Sequence, residues 1–187
     1  MTSPSKAKGS SFEREVAKYL SDLYQESFIR APGSGAYIGG KNQSRKQYLD
    51  EGQIRSFKGD IVPGATFTKF NAECKNYGDF PFHLLFTGDC KVLESWIEQL
   101  MAVAEDGDMN IIFMKFNRKG RFVVVPADKT WVTDQFFHYT SNHRGDWIII
   151  NFEHFFKHNK DLLKAYSGSP NTNIDTMSTP NVITLNT

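Results

Sequence analysis

Gly59-Asp60-Ile61-Val62 and Phe70-Asn71-Ala72-Glu73-Cys74-Lys75-Asn76 are two runs with strand character, separated by a turn at Pro63-Gly64. Their closeness predicts neighbouring strands of one hairpin. Alternation along the second strand puts Ala72 and Cys74 on one face and Glu73 and Lys75 together on the other. A lone E-x-K is usually a surface ion pair. Here Asp60 starts the neighbouring strand directly after a glycine, so its carboxylate is expected beside that of Glu73. Two converging carboxylates with a lysine between them make a hard, oxygen-rich site suited to Mg²⁺, with Mn²⁺ able to substitute. A metal held there would polarise a phosphoryl oxygen and acidify a bound water, and Lys75 would hold that water or neutralise developing charge. Hydrolysis of a phosphodiester is the chemistry this set fits. Cys74, pointing away from both, reads as a buried structural thiol.

Outward from this pair, Ser10 to Gln25 reads as a first helix, with Phe12, Val16, Tyr19, Leu20 and Leu23 at helical spacing and Ser10/Glu13 as a capping box. Residues 1–9 are then a flexible N-terminus. Ser27 to Ala31 is a short strand stopped by Pro32-Gly33-Ser34-Gly35. After the Glu73 strand, Val92, Leu93, Trp96, Ile97, Leu100 and Ala104 predict an amphipathic helix over Asp89 to Glu105, on which Gln99 either lines the site or is a solvated position. Asn110 to Phe116 and Arg121 to Ala127 are strands joined by a turn and therefore antiparallel. Asp128 to Arg144 is ambiguous, Asp146 to Asn151 is a further strand, and Phe152 to Tyr166 a final helix. Residues 167–187, rich in Ser, Thr and Asn, read as a weakly ordered polar tail. The sum is one α/β domain over residues 10–166, a central mixed sheet flanked by helices.

Composition narrows the function classes. The chain has 187 residues, 40% of them hydrophobic and 14% aromatic, enough for one self-sufficient core. Two cysteines are too few for a disulfide framework. No apolar run approaches the roughly 20 residues that span a bilayer, so a soluble, cytoplasmic protein without a membrane partner is expected. The net charge of +1 gives no global attraction to polyanions. Locally, residues 36–59 carry Lys41, Arg45, Lys46, Arg55 and Lys58 against Asp50 and Glu51, a basic stretch that is either a solvated surface loop or a surface that reaches phosphates. The glycines at 33, 35, 39 and 40 lack dinucleotide spacing, and His154 and His158 lack the glutamate of a zinc helix.

The order of these motifs resembles a known family. Gly59 to Val62 followed by Ala72-Glu73-Cys74-Lys75 is similar to the D and E-x-K elements of the PD-(D/E)XK nuclease superfamily. Lys8-Gly9-Ser10-Ser11-Phe12-Glu13-Arg14-Glu15-Val16 and Ile29-Arg30-Ala31-Pro32-Gly33-Ser34-Gly35 resemble the opening helix and following strand and loop of archaeal-type Holliday junction resolvases. The likeness covers Lys8 to Lys75 and extends loosely to about Ala127. It implies a restriction-endonuclease-like core, with Asp60 and Glu73 as Mg²⁺ ligands, Lys75 as catalytic lysine and Glu13 as a further carboxylate from the first helix. It also implies that Arg30 and Ser34 contact the scissile phosphate or nearby backbone. The expected substrate is branched or four-way-junction DNA, cut by a homodimer whose two sites match the symmetry of the junction. Residues 36–59 are an insertion relative to that family. For a phage or viral member the compartment would be the host cytoplasm.

Overall fold

The structure, a computed structural model, describes residues 4–32, 44, 47–48 and 58–168. Its elements are α1 (Pro4–Tyr24), β1 (Ile29–Arg30), β2 (Ile61–Val62), β3 (Phe70–Tyr77), a 3-10 turn (Phe82–Thr87), α2 (Lys91–Met101), β4 (Met109–Phe116), β5 (Gly120–Pro126), β6 (Phe136–Ser141), β7 (Gly145–Asn151) and α3 (Phe152–Ser167). A five-stranded mixed sheet runs β3-β4-β5-β7-β6. β3 and β4 are parallel, with Glu73 opposite Ile112 and Lys75 opposite Met114, and every other neighbour pair is antiparallel. A parallel pair needs a crossover, and α2 supplies it.

Alternation along the strands divides the core in two. Ile111 and Phe113 of β4, Val123 of β5 and Ile150 of β7 face one way, and against them pack Phe12, Val16 and Leu20 of α1 with Phe152, Phe155 and Phe156 of α3. Ile112, Met114, Val124 and Ile149 face the other way, under Leu93, Trp96, Ile97 and Leu100 of α2. The α/β class and the helix-flanked mixed sheet expected from the sequence are therefore found, with three layers. Among the described residues no helix is long and apolar enough to cross a membrane.

Three local expectations are corrected. α1 begins at Pro4, because proline fits the first helical turn and Lys6 and Ala7 propagate it. Ser10 is then inside the helix and does not cap it, and residues 4–9 are helical. β2 pairs antiparallel with β1, Arg30 opposite Ile61, instead of forming a hairpin with β3. The ambiguous stretch after β5 contains β6, with Phe136 opposite Ile150, which completes the sheet. The tail beyond Gly168 lies outside the described residues.

Candidate active site

Asp60 is placed by its backbone. Its N–H donates to the Ala72 carbonyl of β3 at 2.7 Å, and its carbonyl accepts from Ala31 N–H at 2.8 Å. The β1–β2 pair is thereby fastened to the free edge of the five-stranded sheet. Gly59 makes the crossing possible: its φ is +69°, and a Cβ there would stand 2.4 Å from the Ala72 carbonyl oxygen. The Asp60 side chain then turns along β3, and Oδ2 accepts from Cys74 N–H at 2.8 Å. The expected meeting of Asp60 with the Glu73 strand is present, reached by a single backbone contact.

Asp60 and Glu73 are both buried, at 5% and 1% exposure. Burial, reinforced by the adjacent Glu73 carboxylate, pushes the Asp60 carboxyl up to about 7; the Cys74 N–H and Lys75 act in the opposite direction. Glu73 Oε2 has two donors, Lys75 Nζ at 3.1 Å and Gln99 Nε2 at 2.9 Å. Glu73 Oε1 is buried and has no donor among the described residues. The Gln99 amide closes the triangle, since its Oε1 accepts from Lys75 Nζ at 2.7 Å. Lys75 is 8% exposed and so has two of its three N–H groups engaged. Cys74 is buried on the opposite face, and burial together with Asp60, Glu73 and Glu13 drives its thiol pKa well up, as an inert thiol requires.

Gln99, which the sequence left either lining the site from the second helix or solvated, bonds both Lys75 and Glu73. It is an exposed helix position and a partner of two buried charges at once. The signal was its place three residues after Trp96 on the α2 face, readable only once α2 was known to lie over β3.

The remaining expected residues are distributed differently. Glu13, freed from capping, is 9% exposed and forms an ion pair and hydrogen bond with Arg30. Among the described residues no three His, Cys, Asp or Glu side chains stand close enough to hold a metal ion. Glu13 is the partner of Arg30. Lys58, expected among the DNA-contacting cations, is 3% exposed, with Nζ 2.5 Å from Asp108 Oδ2 and 3.2 Å from Glu105 Oε2. Ser34, Lys41, Arg45, Lys46 and Arg55 lie outside the described residues.

A divalent cation fits the carboxylate pair on two counts. Two buried carboxylates side by side are short of positive charge, as the raised Asp60 pKa records, and Glu73 Oε1 is a buried acceptor without a donor among the described residues. Two oxygen-donor side chains, the remaining positions filled by water and substrate, are the usual provision for Mg²⁺.

No curated protein and no solved structure gives a match to the chain. A family model described as "Phage putative PDDEXK endonuclease" matches residues 4–165, nearly all of the described structure and the whole of the site. PD-(D/E)XK nucleases generally use divalent metal ions, in keeping with the donor set found at Asp60 and Glu73. With that match and an intact Asp60, Glu73 and Lys75 set on a helix-flanked mixed sheet, the chain belongs to the phage PDDEXK endonuclease family.

Proposed function

We propose that the chain is a Mg²⁺-dependent endodeoxyribonuclease that cuts branched DNA, in the manner of a Holliday junction resolvase, with Mn²⁺ able to replace Mg²⁺. The observation that carries the nuclease reading is the Asp60–Glu73 pair with an unclaimed Glu73 oxygen beside a lysine fixed by Gln99. A mere DNA-binding module has no use for two carboxylates facing a polyanion, where they repel it. The junction-resolving part rests on the likeness of the Lys8 to Gly35 segment to that family.

Asp60 and Glu73 would hold the ion, which when bound polarises the phosphoryl oxygen and acidifies a water. The chain's own residues do the rest. Lys75, held by Glu73 and Gln99, keeps one N–H for the attacking water or the phosphate, and its charge offsets the negative charge that builds up during attack. Arg30, aligned by Glu13, lies one register position from Asp60 and reaches the flanking phosphate. Ser34 and the basic residues Lys41, Arg45, Lys46 and Arg55 would contact backbone on either side, a sequence-independent contribution that salt weakens.

The test is a cleavage assay on four-way junction, flap, nicked and linear duplex DNA, with Mg²⁺, with Mn²⁺ and with chelator. Cleavage of the branched substrates with either metal and none with chelator is expected. Asp60→Asn, Glu73→Gln and Lys75→Ala should each nearly abolish cutting while junction binding is kept. Wild-type rates in all three variants would overturn the site. Linear duplex cut as readily as the junction would replace the branched-DNA reading with a restriction or repair nuclease.

A further inference from the structure

The face of β3 that carries Glu73 and Lys75 continues to Tyr77, two residues farther and about 7 Å along the strand. Unlike Glu73 and Lys75, Tyr77 is 49% exposed. Its ring is not loose. It leans on Trp96 of α2, with ring centroids 5.1 Å apart, and Trp96 is in turn backed by Phe80 at 5.5 Å. α2 thus sets two of its residues against two of β3: Gln99 holds Lys75, and Trp96, one helical turn away, holds Tyr77. A half-exposed aromatic ring packed on Trp96 thus follows Lys75 on the same strand face, about 7 Å from it along β3.

We propose that Tyr77 is a stacking platform for an unpaired nucleobase next to the phosphate that is cut, so that the substrate is DNA whose strand has left the duplex stack at that point. This rests on the nuclease reading of Asp60, Glu73 and Lys75 and deepens it. Inside a duplex both faces of every base are covered by its neighbours, and a phenol ring beside the backbone finds no base to lie on. A base released at a branch, a flap or a mismatch has a free π-face, and stacking it on a fixed ring needs no particular sequence. Tyr77 would therefore supply preference for branched over continuous DNA without reading bases.

The experiment uses a flap oligonucleotide with 2-aminopurine at the unpaired position beside the expected cut, bound in chelator so that nothing is cleaved. Stacking quenches this base. Wild-type protein, Tyr77→Phe and Tyr77→Trp should quench it, and Tyr77→Leu should not. The preference for flap over linear duplex in binding should fall about tenfold in Tyr77→Leu. Far-UV circular dichroism and thermal melting of each variant establish that it is folded, which the half-exposed position favours. Quenching by Tyr77→Leu equal to wild type, or its loss in Tyr77→Phe as well, would overturn the platform. Cleavage by the wild-type protein in Mg²⁺ is measured in parallel. No cutting of any DNA would sink the nuclease reading itself, whereas cutting with an undiminished preference in Tyr77→Leu would sink only the role of Tyr77.

Discussion

At the scale of single residues, the tension in the site is electrostatic. Asp60 has its carboxyl pushed up to about 7 by burial and by Glu73, against an ordinary value near 3.8 in the unfolded chain. Between roughly pH 4 and pH 7 the folded state therefore binds a proton that the unfolded state has released. Stability from this group is complete below pH 4 and is lost as the pH rises through 7, by something on the order of a few kcal/mol. Thermal melting in chelator should show the midpoint falling over that window in the wild type and staying nearly level in Asp60→Asn. Adding Mg²⁺ at pH 8 should raise the midpoint of the wild type and not that of the variant. Gln99 is the second residue-scale lever. Gln99→Ala leaves Lys75 Nζ and the buried Glu73 Oε2 each short of one partner, a loss of about 1–3 kcal/mol. The single-turnover cleavage rate should drop about tenfold or more, and a wild-type rate in Gln99→Ala would show that the amide is a bystander.

At the scale of elements, the site depends on three attachments. β2 is joined to β3 at the Gly59–Asp60 crossing. Because any Cβ at Gly59 would collide with the Ala72 carbonyl and the backbone there has positive φ, Gly59→Ala should destabilise the fold by more than about 2 kcal/mol. Denaturant unfolding reads this directly, and equal stability would mean that the crossing is looser than described. Just before that crossing, Lys58 is anchored on Asp108 at the entry to β4, with side chains 4% and 0% exposed. Asp108→Ala leaves Lys58 with the part-exposed Glu105 alone and removes the acceptor of Glu105 N–H, so it should cost about 1–3 kcal/mol, while the paired change Lys58→Met with Asp108→Leu should recover part of it. α2 is the third attachment. Glu94 accepts from Tyr139 Oη at 2.7 Å, Ser141 Oγ at 2.8 Å and Asn142 N–H at 3.2 Å, and Glu98 pairs with Arg144 at 2.9 Å. These bonds tie α2 to the β6–β7 hairpin at the far side of the sheet. The helix that carries Gln99 and Trp96 is consequently held from both ends of the molecule.

At the scale of the whole molecule, the two aromatic-rich layers bracket the sheet, and the site lies at its β3 edge, where β1 and β2 join. An edge site serves one strand of DNA at a time. Resolving a junction symmetrically takes two opposed cuts, so two copies related by a twofold axis are expected on the junction. Sedimentation of the complex should give two chains per four-way junction. One chain per junction, with cleavage intact, would separate the nuclease from the resolvase reading.

Sequence periodicity alone determined most of the elements. The apolar spacing of Phe12, Val16 and Leu20, and of Leu93, Trp96, Ile97 and Leu100, marks helices whatever they pack against, and period-two alternation put Glu73 and Lys75 on one face because strand geometry leaves no other choice. That Asp60 would come beside Glu73 and Lys75 was legible from their order along the chain, whereas the route, a crossing at Gly59 and not a hairpin, was not. The start of α1 was not, because the Ser10/Glu13 capping box competes with Pro4 and only the full helix shows which prevails. The fates of Lys58, Glu13 and Gln99 were decided by tertiary structure. A lysine in a basic stretch becomes a buried partner of Asp108, a capping-box glutamate becomes the partner of Arg30, and an exposed helix amide becomes the link between Lys75 and Glu73. Each outcome depends on a partner 17 to 50 residues away, and charge and hydrogen-bonding groups carry no periodic signal of whom they will meet.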